Sequence, residues 1–237
     1  MSDMIFSFIV QDGYENMLDL IRSILDFDNV EIFKDTEIDG QNFEEYFSDL
    51  QKEFKDCFDE KSVYNTMKRC DAEEGIADKE IKCLERISKI REEFRKKLHL
   101  EKFDSKIHEN AKANAYTYFL QMVGDNLRKS GKPNSGKFSG KDMAILAQRA
   151  NGFIKAFRSQ NRKTKKKTLI CIDAIRNPYE ATYFQDRYNA FYLVAINTDI
   201  DERERRLNEL GLEKGQIRNL ENKRNTLNLK ETMFLLV

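Results

Sequence analysis

The chain has 237 residues, enough for one large α/β domain or two small ones. Lys+Arg and Asp+Glu both number 41, so the formal net charge is zero, which speaks against a general nucleic-acid or anionic-membrane binder. Charged residues make up 35% and there are two prolines, a composition that favours long solvated helices over a β-sandwich.

Met4–Val10 (MIFSFIV) is a short apolar run broken by Gln11–Gly13 and reads as a first buried strand. It is too short, and lacks the basic flank, for a secretory signal. Tyr14–Phe27 follows with Met17, Leu18, Ile21, Ile24 and Leu25 at helical spacing, and Val30–Phe33 reads as a second strand. The first thirty-odd residues thus have the outline of a βαβ unit.

Phe43–Phe58 and Val63–His99 are helical by pattern, with Ile81, Leu84, Ile87, Ile90 and Phe94 on one face of the second. Ser105–Arg128 is a further helix striped by Tyr116, Phe119, Leu120 and Val123. Lys129–Lys141 (KSGKPNSGKFSGK) is a Gly/Ser/Pro/Lys loop, and Asp142–Phe157 returns to helix. Arg158–Thr168 is a basic connector into a strand over Leu169–Asp173. A helix over Asn177–Asn189 with Pro178 in its first turn comes next, then a strand over Ala190–Ile196. Asp201–Leu210 is a helix closed by Gly211, Gly215–Asn225 a short helix, and Met233–Val237 a last strand. The expected architecture is one α/β domain over residues 1–237. It has a small parallel sheet (elements near 4–34 and 168–237), helices on both faces, and a large helical insertion over about 42–161.

Several patterns carry chemistry. Gly131–Phe138 (GKPNSGKF) nearly fits the phosphate-cradling G-x-x-x-x-G-K-[ST] motif, but Phe138 replaces the magnesium-binding hydroxyl. It also follows a helix rather than a strand, so it reads as a basic loop in which Lys132, Lys137 and Lys141 could contact phosphate. The place for such a motif is after Met4–Val10, where only Gly13 survives and no lysine follows. Asp173, at the end of an apolar run, reads either as an acid that orients magnesium or as a helix-capping or loop acid at a strand end, and Arg176 could grip a phosphate as a fork. Asn177 and Glu180 fall near the same edge. Arg203, Arg205 and Arg206 alternate with acids on one helix, as a solvated face or as a lid over phosphates. The run Lys163–Lys167 could touch nucleic acid electrostatically, but it lacks interleaved aromatics and reads first as a solvated connector.

Four cysteines (Cys57, Cys70, Cys83 and Cys171) form no C-x-x-C pair and are read as reduced packing thiols. His99-Leu100-Glu101 matches half of a zinc deaminase signature, but the P-C-x-x-C half is absent and no zinc is expected. The only histidines, His99 and His108, support no Ser/His/Asp or Cys/His arrangement.

Four segments, YFLQMVGDNLRKSG (Tyr118–Gly131), MAILAQRANGFI (Met143–Ile154), ICIDAIRNPYEATYF (Ile170–Phe184) and FYLVAINTDIDERERRL (Phe191–Leu207), carry a resemblance. They resemble the P-loop kinase-like domain of bacterial anti-phage dCTP/deoxycytidylate deaminases. A more distant similarity runs to deoxynucleoside monophosphate kinases. IFSFIVQDGYENMLDLI (Ile5–Ile21) is similar to that domain's first strand and loop in degenerate form. The resemblance implies a P-loop NTPase-like three-layer fold and a nucleotide-sensing or regulatory role. The deaminase domain itself is missing, so its activity does not carry over.

The expected function is a nucleotide-binding sensor or regulatory module of phage defence or deoxynucleotide metabolism. It would take a dNMP, dNTP or ATP, with magnesium at Asp173. The expected nucleotide contacts are Gly13, Asp173, Arg176, Asn177, Glu180, Arg203 and Arg206. Two alternatives stand beside it. One is an active nucleoside monophosphate kinase with an atypical phosphate loop. The other is a non-catalytic partner of a separate deaminase, nuclease or other effector. No independent catalysis is expected; were the chain an enzyme, it would be a kinase-like phosphotransferase. A cytoplasmic location, no membrane partner, no nucleic-acid partner and a candidate homo-oligomer complete the expectation. No apolar run approaches about 20 residues.

Overall fold

The computed structural model describes residues 1–58, 76–100, 115–163, 165, 167–196, 199–209, 215, 217 and 232–236. Its body is a set of helices: α1 (Ser2–Asp12), α2 (Tyr14–Leu25), α3 (Phe43–Phe58), α4 (Ile76–Leu100), α5 (Ala115–Ser130) and α6 (Ile145–Lys163). α1 corrects the first sequence expectation. Met4–Val10 is not a strand but a helix buried over seven consecutive residues. It packs against all five of the other helices, so no side of it needs a polar face. A short apolar run without period cannot separate a buried strand from a central helix, and the surrounding helices decided it.

Val30–Phe33 is likewise a 3-10 turn rather than a strand. After it, β1 (Glu37–Ile38) and β2 (Gln41–Asn42) pair antiparallel. Their two-residue turn places Asp39 at φ 54° and Gly40 at φ 79°, the positive-φ pair that an Asp-Gly hairpin turn requires. Asn42 then opens α3, its Oδ1 accepting from the Glu45 N–H at 2.8 Å.

α3 and α4 run antiparallel. Lys89 pairs with Asp39, Arg86 lies 4.5 Å from the Tyr46 ring centroid, and Arg86 Nη1 meets Glu53 Oε2 at 2.5 Å. One turn further along, Cys57 and Cys83 are in hydrogen-bonding contact across the same seam. That contact and burial push the Cys83 thiol far up, making it a packing thiol rather than a nucleophile. Phe94 is the aromatic hub: its ring centroid lies 5.3 Å from those of Phe6, Phe33 and Phe119.

The remaining elements sit at one end: β3 (Cys171–Ile175), α7 (Pro178–Gln185), β4 (Tyr192–Ile196), α8 (Ile200–Glu209) and β5 (Thr232–Leu236). They lie close to where the sequence placed them. The sheet order is β3-β5-β4, with β5 antiparallel to both neighbours. The register pairs Ile172 with Leu235 and Val194 with Phe234. This overturns the expected fold. Among the described residues no strands pair in parallel, and the chain is mostly helical, so the P-loop-like three-layer α/β fold is not adopted. β3 and β4 do point the same way across α7, as a crossover predicts, but β5 inserts between them in the opposite sense. Nor is β4 covered on both faces as a parallel strand would be. Tyr192, Leu193 and Val194 are 65%, 43% and 38% exposed. The helices over 42–161, expected as an insertion, form the body of the molecule together with α1 and α2.

Parts of the expected helices over Val63–His99, Ser105–Arg128 and Gly215–Asn225 lie outside the described residues, as do Cys70 and His108. Among the described residues, no helix is long and apolar enough to cross a membrane.

Candidate functional site

A cleft of about 200 Å³ opens where the start of α1, one face of α5 and the loop after β3 meet. Gly124 lets α1 and α5 approach: a Cβ there would lie 3.0 Å from Ile5 Cδ1 and 3.3 Å from Arg128 Nη1. Tyr116, Gln121, Arg128, Asp173 and Arg176 are among the lining residues. Arg91 ties the walls together, donating from Nε to Asp3 Oδ1 at 2.6 Å and from Nη1 to Tyr116 Oη at 2.8 Å.

The cleft's chemistry is built on Glu180. Its side chain is 1% exposed, and burying a carboxylate requires a cation and further hydrogen bonds. Arg128, in the last turn of α5, donates from Nε to Glu180 Oε1 at 2.9 Å. Glu180 Oε2 accepts from the Arg176 backbone N–H at 3.3 Å. One buried carboxylate therefore fixes both the Arg128 guanidinium and the backbone from which Arg176 projects. Asn177 caps α7: its Oδ1 accepts from the Tyr179 N–H at 2.9 Å, and its Nδ2 donates to the Met143 carbonyl at 3.1 Å. Pro178 follows at the first helical position.

Arg176 is exposed at the rim, and no ion pair forms on its guanidinium among the described residues. Desolvation, and then the like charge of Arg128, lower its pKa, while Asp125, Glu180 and Asp173 act in the opposite sense. Asp173, its side chain 64% exposed, accepts from the Met1 amine at 3.2 Å.

The seven residues expected to contact nucleotide therefore divide. Asp173 and Arg176 line the cleft, and Asn177 and Glu180 support it from behind. Gly13, Arg203 and Arg206 are not among its lining residues. Gly13 is the buried joint between α1 and α2, at φ 105°. The strand that would make it a phosphate loop is a helix. Arg206 donates from Nε to Glu202 Oε1 at 2.8 Å on its own helix, and Arg205 pairs with Glu202 and Glu209 there. Arg203 lies on the same helix, its backbone N–H donating to the Asp199 carbonyl at 3.0 Å.

The loop Gly131–Phe138 folds back onto the end of α5. Ser130 Oγ lies within hydrogen-bonding range of the Asn126, Lys132 and Ser135 carbonyls, and Asn126 Nδ2 donates to the Pro133 carbonyl at 2.8 Å. Lys132 is close enough to Asp12 to oppose the rise in pKa that burial imposes on that acid. Lys137 and Lys141 are exposed.

Asp173, expected at the magnesium, is a single carboxylate beside the Met1 amine, with Arg128 and Arg176 lining the same cleft. Among the described residues, no group of three or more His, Cys, Asp or Glu side chains could hold a metal ion.

Sequence reasoning missed Arg128. No local signal pointed to it, because Glu180's need for a cation follows from its burial, which the packing of other elements sets. Comparisons of the chain with protein-family models, curated proteins and solved structures returned no match.

Proposed function

We propose that the chain is a nucleotide-binding sensor or regulatory module that grips its ligand by a phosphate between Arg128 and Arg176. The observation that carries this reading is the Arg176 guanidinium, exposed and without an ion pair among the described residues, beside a second guanidinium held by Glu180. A phosphate there would satisfy the donors of both and relieve their mutual repulsion. Gln121 adds an amide at the wall. A volume of about 200 Å³ suits a phosphate group, with the sugar and base lying outward on the surface. The choice of a nucleotide over other phosphate carriers comes from the resemblance of ICIDAIRNPYE and its neighbours. Binding is favoured over turnover because no histidine, cysteine or lysine lines the cleft among the described residues, and its one carboxylate, Asp173, faces an amine.

Calorimetric titration with orthophosphate, dCMP, dCTP and ATP tests the reading. Binding of at least one nucleotide is expected, weakened about tenfold in Arg176→Ala, the loss of one charge-assisted phosphate contact. Equal affinity in wild type and Arg176→Ala would remove the site. Orthophosphate binding as tightly as every nucleotide would leave a phosphate site without the nucleotide reading.

A further inference from the structure

A second cleft, of about 400 Å³, lies away from the first, between the C-terminal half of α6, the start of the β3 segment and the turn after α7. Arg158, Thr168, Arg187, Tyr188 and Asn189 are among its lining residues. Two guanidiniums reach it from separate elements, each resting on an aromatic ring. Arg158 is 5.7 Å from the Tyr188 centroid and Arg187 is 3.7 Å from the Tyr183 centroid. Tyr188 Oη donates to Asn151 Oδ1 at 2.6 Å, which anchors that ring, and Arg187 Nη1 donates to the Tyr183 backbone carbonyl at 3.2 Å, which holds the guanidinium in place. Both arginines are exposed, and no acidic side chain is among the lining residues.

The zero net charge of the whole chain conceals a strong local bias at this place. From Lys155 to Lys167 the sequence KAFRSQNRKTKKK holds Lys155, Arg158, Arg162, Lys163, Lys165, Lys166 and Lys167 and no acid. Lys155, Arg158 and Arg162 fall on one stripe of α6, at i, i+3 and i+7. The connector then delivers exposed Lys165 and Lys167 to the cleft's edge at Thr168, whose hydroxyl accepts from Asn161 Nδ2 at 3.1 Å. Two exposed aromatics are near the lining residues in sequence: Phe157 precedes Arg158, and Tyr192 follows two residues after Ala190.

We infer that this cleft and the α6–β3 connector bind the backbone of a single-stranded nucleic acid. The guanidiniums take phosphate oxygens, the connector lysines neutralise the flanking phosphates, and Tyr192 and Phe157 offer faces for unstacked bases. A volume of about 400 Å³ admits roughly one nucleotide and excludes a duplex, whose bases are already stacked and paired. Thr168 and Asn189 offer hydrogen bonds to sugar or base edges.

Fluorescence anisotropy of a labelled single strand of about 12 nucleotides, DNA and RNA, measures this directly over about 50–200 mM salt. The full chain is expected to bind, with a log–log salt slope of about −3 for four neutralised phosphates. Arg158→Ala/Arg187→Ala should weaken binding at least about tenfold, and Lys165→Gln/Lys167→Gln should reduce the slope by about 1.4. Lys165 and Lys167 are exposed, so the lysine pair reports even if the arginine pair disturbs folding. Arg176→Ala should bind the strand as wild type does, which separates this site from the nucleotide cleft. No anisotropy change at about 100 μM protein and low salt, or unchanged binding in both paired variants, overturns the inference. So does a duplex bound as tightly as the single strand, or equal competition by an acidic peptide of matched charge.

Discussion

Glu180 and Glu80 show how burial assigns opposite roles to two glutamates. Glu180 is buried with a cation, so breaking the pair leaves a charge stranded in the interior. Arg128→Ala should destabilise the fold by about 3 kcal/mol in urea unfolding. Adding Glu180→Gln should recover a large part of that loss, because the stranded charge is gone. Glu80 is buried at 4% exposure, and desolvation raises its pKa from the ordinary 4.5 to about 7. The folded state therefore holds the extra proton between those values. This group's contribution to stability is greatest below pH about 4.5 and falls as the pH rises to about 7. Glu80→Gln should flatten the unfolding free energy over that window relative to wild type. At pH 8 it should gain on the order of 2 kcal/mol. An unchanged pH profile in the variant would show that Glu80 does not ionise on this schedule. Neither glutamate's role was legible from its neighbours in sequence, because each depends on which helices cover it.

At the scale of elements, most helices were legible because their apolar residues keep a 3.6-residue period. Phe43–Phe58 matches its sequence reading at both ends, and Pro178 and Asn177 mark the start of α7 chemically. α1 was not legible. A central helix loses its polar face, and with it the period that distinguishes it from a strand. The reading of Gly13 as the remnant of a phosphate loop depended on that strand. In the structure Gly13 joins two helices at φ 105°, and a Cβ there would sit 2.9 Å from Gln51 Nε2. That same amide donates to the Gln11 carbonyl at 3.0 Å, so it is not free to move aside without loss. Gly13→Ala should therefore cost about 1–3 kcal/mol through backbone strain and this clash, read as a lower midpoint of thermal unfolding. Its affinity for phosphate ligands should be unchanged, since Gly13 is not among the residues lining the cleft. A glycine that mattered only for ligand approach would show the reverse.

For the whole molecule, the order and direction of β3, α7 and β4 were legible, but the sheet was not. The pattern of a strand, a helix and a strand predicts that β3 and β4 run the same way, and they do. It is silent on β5, which comes from the far end of the chain and inserts antiparallel between them. Pairing partners distant in sequence leave no local trace, so the parallel sheet and the three-layer fold were inferred from an outline that the core did not adopt. Asp173 lies at the middle of β3 and Arg176 just after its end, so their place in the cleft follows from β3 itself rather than from its sheet neighbours. The central claim is that Arg176 and Arg128 bind a phosphate group. It is tested most directly by thermal unfolding of wild type and Arg176→Ala across a titration of dCTP. The account predicts a midpoint that climbs with ligand in the wild type, reaching about 2.7 kcal/mol of added stability at a hundredfold excess over Kd. The rise in Arg176→Ala should appear only at about tenfold higher ligand. Superimposable titration curves for the two proteins would contradict it.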